Sequence, residues 1–184
     1  MIDDYDAPRL RFNKLELLDN NILSNKQWFF EVTDAILELE KRTKRRMRID
    51  FNQGLDIRLI DSEIAERLSK MSYINAIKFA FDSMGVKDAV LRGIDILNAG
   101  GISVRNKCFF YVYVHDDDQF DDAYERCMIL KEHNATPYIM LNQDAEHTRR
   151  LRNLKKWCRP WTFWTIDFKD YLSNYSKKMK KEIE

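Results

Sequence analysis

Glycine, proline and cysteine are scarce in this chain, and each shortage excludes a class of protein. The 184 residues include 5 glycines, 3 prolines and 3 cysteines. Neither G-x-G-x-x-G nor G-x-x-x-x-G-K-[ST] occurs, so the standard loops for dinucleotides and nucleoside triphosphates are absent. Cys108, Cys127 and Cys158 lack the spacing of a metal site, and their odd number argues against a disulfide framework. We therefore expect small buried thiols in a cytoplasmic protein.

Long hydrophobic runs are also missing, and neither sign of charge is in large excess. No apolar stretch approaches the roughly 18 residues of a membrane span, and the acidic, polar segment 1–10 is unlike a signal peptide. We expect no membrane partner. The formal net charge is +1, although the basic residues are concentrated in Lys41–Arg48, Arg149–Lys156 and Lys177–Lys181. The charge balance by itself predicts no partner.

The chain is rich in core material, with 45% hydrophobic and 12% aromatic residues. Such a composition excludes a disordered protein, and the length suits one domain. We expect a single domain over residues 1–184, with flexible ends at 1–14 and 173–184.

Short apolar runs alternate with helix-patterned stretches along the chain. Strands are predicted at Leu15–Asp19, Arg48–Asn52, Ala76–Asp82, Lys107–Val114 and Pro137–Leu141. Helices are predicted at Lys26–Arg46, after an Asp61 cap, and at Lys87–Asn98, Asp118–His133 and Asp144–Trp157. In the first helix the inward face is predicted to hold Trp28, Val32, Ala35, Ile36 and Leu39. The inward residues of the later helices are predicted to be Ile64, Leu68 and Met71; Val90, Ile94 and Leu97; Ala123, Cys127 and Leu130; and Leu151, Leu154 and Cys158, with the last helix stopped by Pro160. This order predicts an α/β fold with about five parallel strands.

Polar residues follow the first two predicted strands. Parallel α/β proteins bind ligands at the carboxyl ends of their strands, so these residues are candidates for a site. Asp19, Asn20 and Asn21 could hold an ammonium group and hydroxyls, or could simply form a turn. In FNQGLDIR, Gly54 permits close approach of a ligand, and an arginine such as Arg58 can bind a carboxylate through two hydrogen bonds. Alternatively, this loop contains one structural ion pair.

The later strands end on further acidic residues. Asp82 and Ser83 could accept hydrogen bonds from ribose hydroxyls, or could cap a helix. The run from His115 to Asp118 could hold a hard metal ion, or could complement a helix dipole. A divalent-metal enzyme would use Asp19, Asp56, Asp82 and Asp116.

Two other patterns have alternative interpretations. The basic stretches Lys41–Arg48 and Arg149–Lys156 could bind nucleic acid, or could be solvated helix faces. Glu38–Arg42 and Glu40–Lys44 have the i,i+4 spacing of helical ion pairs. The aromatic residues Trp157, Trp161, Phe163 and Trp164 are expected to close the core rather than to stack on bases.

Taken in order, the strand motifs resemble the radical S-adenosylmethionine superfamily, in particular its bacterial and phage-associated members. The motifs are LLDNNIL, FNQGLDIRLID, IKFAFDS, FFYVYV and TPYIMLNQD, followed by KKWCRPWTFWTIDFKDYL. The resemblance extends from about Leu15 to Tyr171, and FNQGLDIR is its most specific motif.

The resemblance implies a partial (β/α) barrel that binds S-adenosylmethionine beside a [4Fe–4S] cluster and forms a 5′-deoxyadenosyl radical. It assigns Asp19, Asn20 and Asn21 to the methionine amino group, and Asp82 and Ser83 to the nucleoside. Gln53, Asp56 and Arg58 would face the barrel mouth, and Tyr113 and Met140 would line later strands.

One departure from the superfamily is large. The C-x-x-x-C-x-x-C motif that holds the cluster is absent, and the first strand here matches the second strand of the family. We expect a barrel without its first βα unit, unable to bind the cluster: a truncated chain, a split gene product or a degenerate homologue. A separate cysteine-bearing segment would then be a partner, or the chain would self-associate through its exposed first strand.

Overall fold

The fold is known from a computed structural model, which describes residues 12–116 and 119–173. These residues form six strands: β1 Lys14–Leu17, β2 Arg48–Phe51, β3 Ser72–Tyr73, β4 Ile77–Ala80, β5 Cys108–Val114 and β6 Thr136–Leu141. The α-helices are α1 Lys26–Thr43, α2 Ser62–Ser69, α3 Lys87–Ala99, α4 Val104–Lys107, α5 Phe120–Glu132, α6 Arg149–Trp157 and α7 Pro160–Thr165. A last helical segment covers 168–173. Apart from residues 12–14 and 173, the predicted flexible ends lie outside the described residues.

The strands form two small parallel sheets, in the orders β1-β2-β3 and β4-β5-β6. The α/β class is therefore confirmed. The partial barrel of about five strands is not confirmed, because the sheets are separate and no barrel closes. The register of β1 and β2 runs from Lys14 opposite Arg48 to Leu17 opposite Phe51.

The interruption between the sheets has a local cause. After β2 the chain turns, and the Gly54 N–H donates to the Phe51 carbonyl over 2.9 Å. Pairing resumes only as an isolated parallel bridge between Leu55 and Phe79. A two-residue strand, β3, occupies the position beside β2 instead. Its shortness explains why the sequence pattern did not predict it.

The chain divides into two compact units. The first contains residues up to 80 together with 88–109, and the second contains 81–87 and the residues from 110 onwards. In the first unit, α1 begins at the Asn25 cap, whose side chain accepts from the Trp28 N–H over 3.0 Å. The helix ends at Lys44 with a left-handed φ of 52°.

The inward face of α1 was predicted correctly at Ile36 and Leu39 but wrongly in the amino-terminal half of the helix. The buried residues are Phe29, Thr33, Ile36 and Leu39. Trp28 is instead exposed, and Val32 and Ala35 are only half-buried. By spacing alone, the buried face of α1 could begin at Trp28 or at Phe29, and in the folded protein Phe29 is the one that packs inward. The predicted ion pairs of Glu38 and Glu40 also differ: these carboxylates pair with Lys41 and Arg46.

The other helical faces agree with the prediction. The buried sets are Ile64, Leu68 and Met71; Val90, Ile94 and Leu97; Ala123, Cys127 and Leu130; and Leu151, Leu154 and Cys158. Helix α6 begins at Arg149 rather than Asp144, because Thr148 caps it by accepting from the Leu151 N–H. Pro160 ends α6 as predicted but also opens α7, where its missing N–H costs no hydrogen bond.

The aromatic residues after α6 only partly match the predicted closing role. Trp157 and Phe163 are fully buried, with ring centroids 4.9 Å apart. The Trp157 indole N–H also donates to the Ile166 carbonyl over 2.8 Å. Trp161 is exposed and takes no part in this core.

Candidate functional site

In the first unit, the polar residues after β1 form a short turn with one unused acceptor. Asp19 and Asn20 are exposed, and Asn21 precedes a 3₁₀ turn at Ile22–Ser24. The Asn21 main-chain carbonyl accepts from the Ser24 N–H over 3.1 Å, so the hydrogen-bonded turn follows Asn21 rather than spanning Asp19–Asn21 as predicted. The Asn21 side chain does not cap it. Its Oδ1 atom is buried, with no hydrogen-bond donor among the residues that the structure describes.

The segment after β2 is fixed by main-chain hydrogen bonds on both sides. The Asn52 N–H donates to the Leu17 carbonyl over 3.1 Å, and the Leu55 N–H donates to the Lys78 carbonyl over 2.8 Å. Between them, Gly54 has a φ of +83°, which L-residues rarely adopt. A Cβ atom there would lie 3.1 Å from the Lys78 carbonyl oxygen. The sharp turn leaves Gln53 exposed.

Asp56 and Arg58 form the structural ion pair considered in the sequence analysis. Nε of Arg58 donates to Asp56 Oδ1 over 2.9 Å, and Nη2 donates to Oδ2 over 2.6 Å. Asp56 Oδ1 also accepts from the Arg58 main-chain N–H over 3.0 Å. The hydrogen bond from the guanidinium lowers the pKa of Asp56 and raises that of Arg58. Both carboxylate oxygens are thus engaged, and Nη1 of Arg58 is the nitrogen left for a ligand.

In the second unit, Asp82 and Ser83 follow β4. Oδ1 of Asp82 accepts from the Tyr113 main-chain N–H over 3.2 Å, which extends the ladder of hydrogen bonds beside β5. Ser83 is exposed and makes no side-chain cap bond to the 3₁₀ turn at Met84–Val86. The helix-cap interpretation is therefore wrong for the Ser83 side chain, which leaves its hydroxyl available.

The outward face of β5 and β6 is aromatic and exposed. Tyr113 is 41% exposed, Tyr138 49% and Met140 40%. The rings of Tyr111 and Tyr138 meet edge to face, with centroids 5.4 Å apart. Sequence reasoning singled out Tyr113 and Met140 but missed Tyr111 and Tyr138. The alternation of each strand, with every second side chain on this face, was the signal that could have found them.

His115 belongs to a hydrogen-bonded cluster. Its main-chain N–H donates to Gln119 Oε1 over 2.8 Å, and Asn142 Nδ2 lies 2.9 Å from its Nδ1 atom. Asp116 is described, whereas Asp117 and Asp118 lie outside the described residues. In residues 12–116 and 119–173, no three His, Cys, Asp or Glu side chains are grouped so that they could hold a metal ion. No observation therefore favours a divalent-metal enzyme.

Arg126 of α5 was missed by the sequence analysis and is the most deeply buried cation described. It is 1% exposed, and its Nη1 donates to the Phe81 carbonyl over 2.7 Å. Nη2 donates to the Tyr113 carbonyl over 3.3 Å and pairs with Asp122 over 2.6 Å. Arg126 therefore positions the segment that carries Asp82 and Ser83.

The cysteines do not fit an iron–sulfur cluster. All three are buried, as predicted for small hydrophobic residues. Burial raises the pKa of Cys108 to about 12 and raises that of Cys158, so these groups are thiols rather than the thiolates that a cluster requires. The Sγ atoms of Cys127 and Cys158 lie 3.6 Å apart.

Comparisons with protein-family models, with curated proteins and with solved structures find no match for this chain. Within the described ranges, no helix has both the length and the hydropathy needed to cross a membrane.

Proposed function

We propose that this chain is the S-adenosylmethionine-binding portion of a radical enzyme and needs a separate cysteine-bearing segment for catalysis. The observation that carries the proposal is the buried Oδ1 atom of Asn21, for which the described residues provide no donor. A buried acceptor without a partner costs about 1–3 kcal/mol. An ammonium donor from a ligand would remove that cost, and the resemblance assigns this residue to the methionine ammonium group.

The neighbouring residues of the first unit support the same ligand. Asp19 and Asn20 are exposed beside Asn21, and Asp19 offers a carboxylate for the same ammonium. Nη1 of Arg58 is available for the methionine carboxylate, while Asp56 holds the guanidinium in place. Gln53 provides an exposed amide in the same turn.

The second unit, taken by itself, has two features with the chemistry that a nucleoside requires. The Ser83 hydroxyl and the second carboxylate oxygen of Asp82 suit ribose hydroxyls. The exposed side chains of Tyr113 and Met140 suit contact with an adenine ring. S-adenosylmethionine supplies the adenosyl radical of the superfamily, and the residues of this chain would bind and orient it.

Calorimetric titration of the chain with S-adenosylmethionine and with S-adenosylhomocysteine tests the proposal. We expect both ligands to bind, because the residues of the first unit are assigned to the amino acid group, which the two ligands share. The variant Asn21→Leu should weaken binding about tenfold or more, as expected for the loss of a hydrogen bond to a charged group. Gln27→Ala, which removes an exposed amide on α1, is the control and should bind like the wild type. Absence of binding at millimolar concentrations of both ligands would contradict the proposal.

A further inference from the structure

A groove lies at the amino-terminal edge of the first sheet. Its volume is about 460 Å³. The groove is lined by residues at the start of β2 and β3, by Asn13 just before β1 and by Lys107 just before β5. All of its lining residues belong to the first unit. Because the strands are parallel, this edge is distinct from the one where Asn21 and the FNQGLDIR segment lie.

The charges in this groove have one sign. Arg46, Arg48 and Lys107 line it, and no carboxylate is among its lining residues. An adjoining groove shares Arg46 and has a mixed lining, in which Asp34, Glu38 and Glu40 are balanced by Lys41 and Lys70 as well as Arg46. The excess of positive charge is therefore confined to the groove around Arg48 and Lys107. Such a confined region suits a small anion better than a long polyanion.

Arg48 is held in position without being neutralised. Its Nε donates to the Tyr73 carbonyl over 3.3 Å, and its Nη2 donates to the Ile74 carbonyl over 3.1 Å. Carbonyl groups fix a guanidinium but carry no net charge. For Arg48 and for Lys107, no carboxylate of the described residues lies within ion-pair distance. Within the described residues, both cations are therefore left for an anion.

The remaining polar groups of the groove are arranged for a ligand with hydroxyl groups. The Ser72 hydroxyl accepts from Arg46 Nε over 2.8 Å, which leaves its hydrogen to donate to an anion. The Nδ2 atoms of Asn75 and Asn106 already donate to Asp50 and to Ser103. Their carbonyl oxygens are left as acceptors, which the several hydroxyl groups of a sugar can satisfy and the unprotonated oxygens of a phosphate cannot.

We propose that this groove binds a sugar phosphate, with Arg48, Lys107 and Ser72 on the phosphate oxygens and Asn75 and Asn106 on the hydroxyls. The volume lies within the usual range of small-ligand sites. The same chemistry is present in a free sugar phosphate and in the 5′-phosphorylated end of a nucleic acid. The site is separate from the one proposed for S-adenosylmethionine and does not depend on it.

Titration of the full chain with ribose 5-phosphate, ribose and inorganic phosphate tests this inference. We expect ribose 5-phosphate to bind at least tenfold more tightly than either ribose or inorganic phosphate. Its affinity should fall when salt is added, because salt screens the charges. Equal affinity for ribose 5-phosphate and ribose would overturn the phosphate assignment, and equal affinity for inorganic phosphate would overturn the sugar assignment. A 5′-phosphorylated oligonucleotide that competes, when its unphosphorylated form does not, would identify a nucleic-acid end as a source of the same group.

Matched variants separate the groove from general charge effects. Lys107→Gln and Arg48→Gln should each weaken ribose 5-phosphate binding about tenfold or more, whereas Lys155→Gln, an equal charge change on α6, should leave it within twofold. Lys107 forms no ion pair in the described part of the chain, so this variant remains informative if Arg48→Gln fails to fold. Equal effects of Lys107→Gln and Lys155→Gln would overturn the inference. Binding of S-adenosylhomocysteine should be unchanged in Lys107→Gln, so the two proposed sites can fail independently.

Discussion

The guanidinium group of Arg126 donates a 2.7 Å hydrogen bond to the main-chain carbonyl of Phe81. A second hydrogen bond, to the Tyr113 carbonyl, comes from the same buried side chain. Asp82, next to Phe81 in the chain, accepts from the Tyr113 N–H. One arginine thus holds the backbone on both sides of the ladder that presents Asp82.

Replacement of this arginine should destabilise the fold. Arg126→Met keeps much of the apolar volume but leaves the Phe81 and Tyr113 carbonyls without their donor. Because a buried polar group without a partner costs about 1–3 kcal/mol, we expect a loss of about 2–4 kcal/mol in the free energy of unfolding. This loss can be measured by urea denaturation, with circular dichroism as the signal of unfolding.

Arg152→Met is the control for this prediction, because Arg152 is an exposed arginine on α6. We expect that variant to unfold close to the wild-type urea midpoint. If Arg126→Met behaved like Arg152→Met, the carbonyl contacts would not be stabilising the unit.

The place of Arg126 shows what the sequence pattern could not supply. The stripe of Ala123, Cys127 and Leu130 was predicted from spacing and is buried. Arg126 lies beside that stripe, yet a lone arginine is ordinarily assigned to the surface because an isolated buried charge is unfavourable. Its burial depends on an ion pair with Asp122 at i,i+4 spacing and on the carbonyls of the distant residues Phe81 and Tyr113. Periodicity could indicate the ion pair, but it contains no information about the carbonyls. Spacing also does not show tertiary packing, so it could not indicate that Phe29 rather than Trp28 is buried on α1.

The candidate site, like the fold, could be predicted only in part from the sequence. The order of strands and polar ends could be predicted, because parallel strands require alternating patterns and turn residues. The direction of each side chain could not. FNQGLDIR contains an arginine and an aspartate suited to a ligand, but their pairing with each other depends on the turn at Gly54. The groove around Arg48 and Lys107 joins residues far apart in sequence, so no local motif indicates it.

The turn at Gly54 should tolerate no side chain. Gly54→Ala requires an L-residue at a φ of +83° and places a Cβ atom 3.1 Å from the Lys78 carbonyl oxygen. We expect a loss of about 1–2 kcal/mol in the free energy of unfolding. We also expect weaker binding of S-adenosylhomocysteine, since the turn positions Asp56 and Arg58. Urea denaturation and calorimetric titration measure the two effects.

Gly85→Ala is the matched control for Gly54→Ala. At Gly85 the nearest atom to an added Cβ is the Ser83 Oγ at 3.6 Å, an ordinary contact distance. That variant should retain wild-type stability. A Gly54→Ala protein as stable as Gly85→Ala would show that the turn does not need glycine.

Asp50 and Lys78 form an ion pair that should be strongly coupled. The Asp50 carboxylate lies 2.7 Å from the Lys78 ammonium, and their side chains are only 11% and 13% exposed. Lys78→Met should cost about 3 kcal/mol, because it leaves a carboxylate with little water and without its cation. The double variant Asp50→Leu/Lys78→Met removes both charges, so it should lose less stability than the sum of the single variants.

A double-mutant cycle in urea denaturation measures this coupling. Additive single losses would mean that water screens the pair despite its burial. Lys70→Met provides a comparison, because Lys70 pairs with Glu66 in an exposed position on the surface. The loss of stability in Lys70→Met should be small, as it is for most exposed ion pairs.

Cys108 should make the stability of the first unit sensitive to alkaline pH. Burial raises the pKa of its thiol to about 12, whereas a thiol in the unfolded chain titrates near about 8.5. The folded state therefore holds its proton more tightly than the unfolded state. The contribution of the Cys108 thiol to the free energy of unfolding is fully present below about pH 8.5 and is lost as the pH rises towards about 12. Between about pH 8 and about pH 10 we expect a loss of about 2 kcal/mol from this group.

Cys108→Ala removes the titrating thiol and should flatten that pH dependence, even though the smaller side chain lowers stability at every pH. The decisive quantity is the difference between the free energies of unfolding at the two pH values, measured under reducing conditions for both proteins. Burial also raises the pKa of Tyr73, and this larger cause remains in both proteins, whereas the smaller contribution of Cys108 to the same pKa is lost in Cys108→Ala. Parallel pH curves for the wild type and Cys108→Ala would mean that the thiol ionises in the folded state as readily as in water. Native Cys108 would then also react with iodoacetamide at about pH 8, whereas we expect reaction only after unfolding.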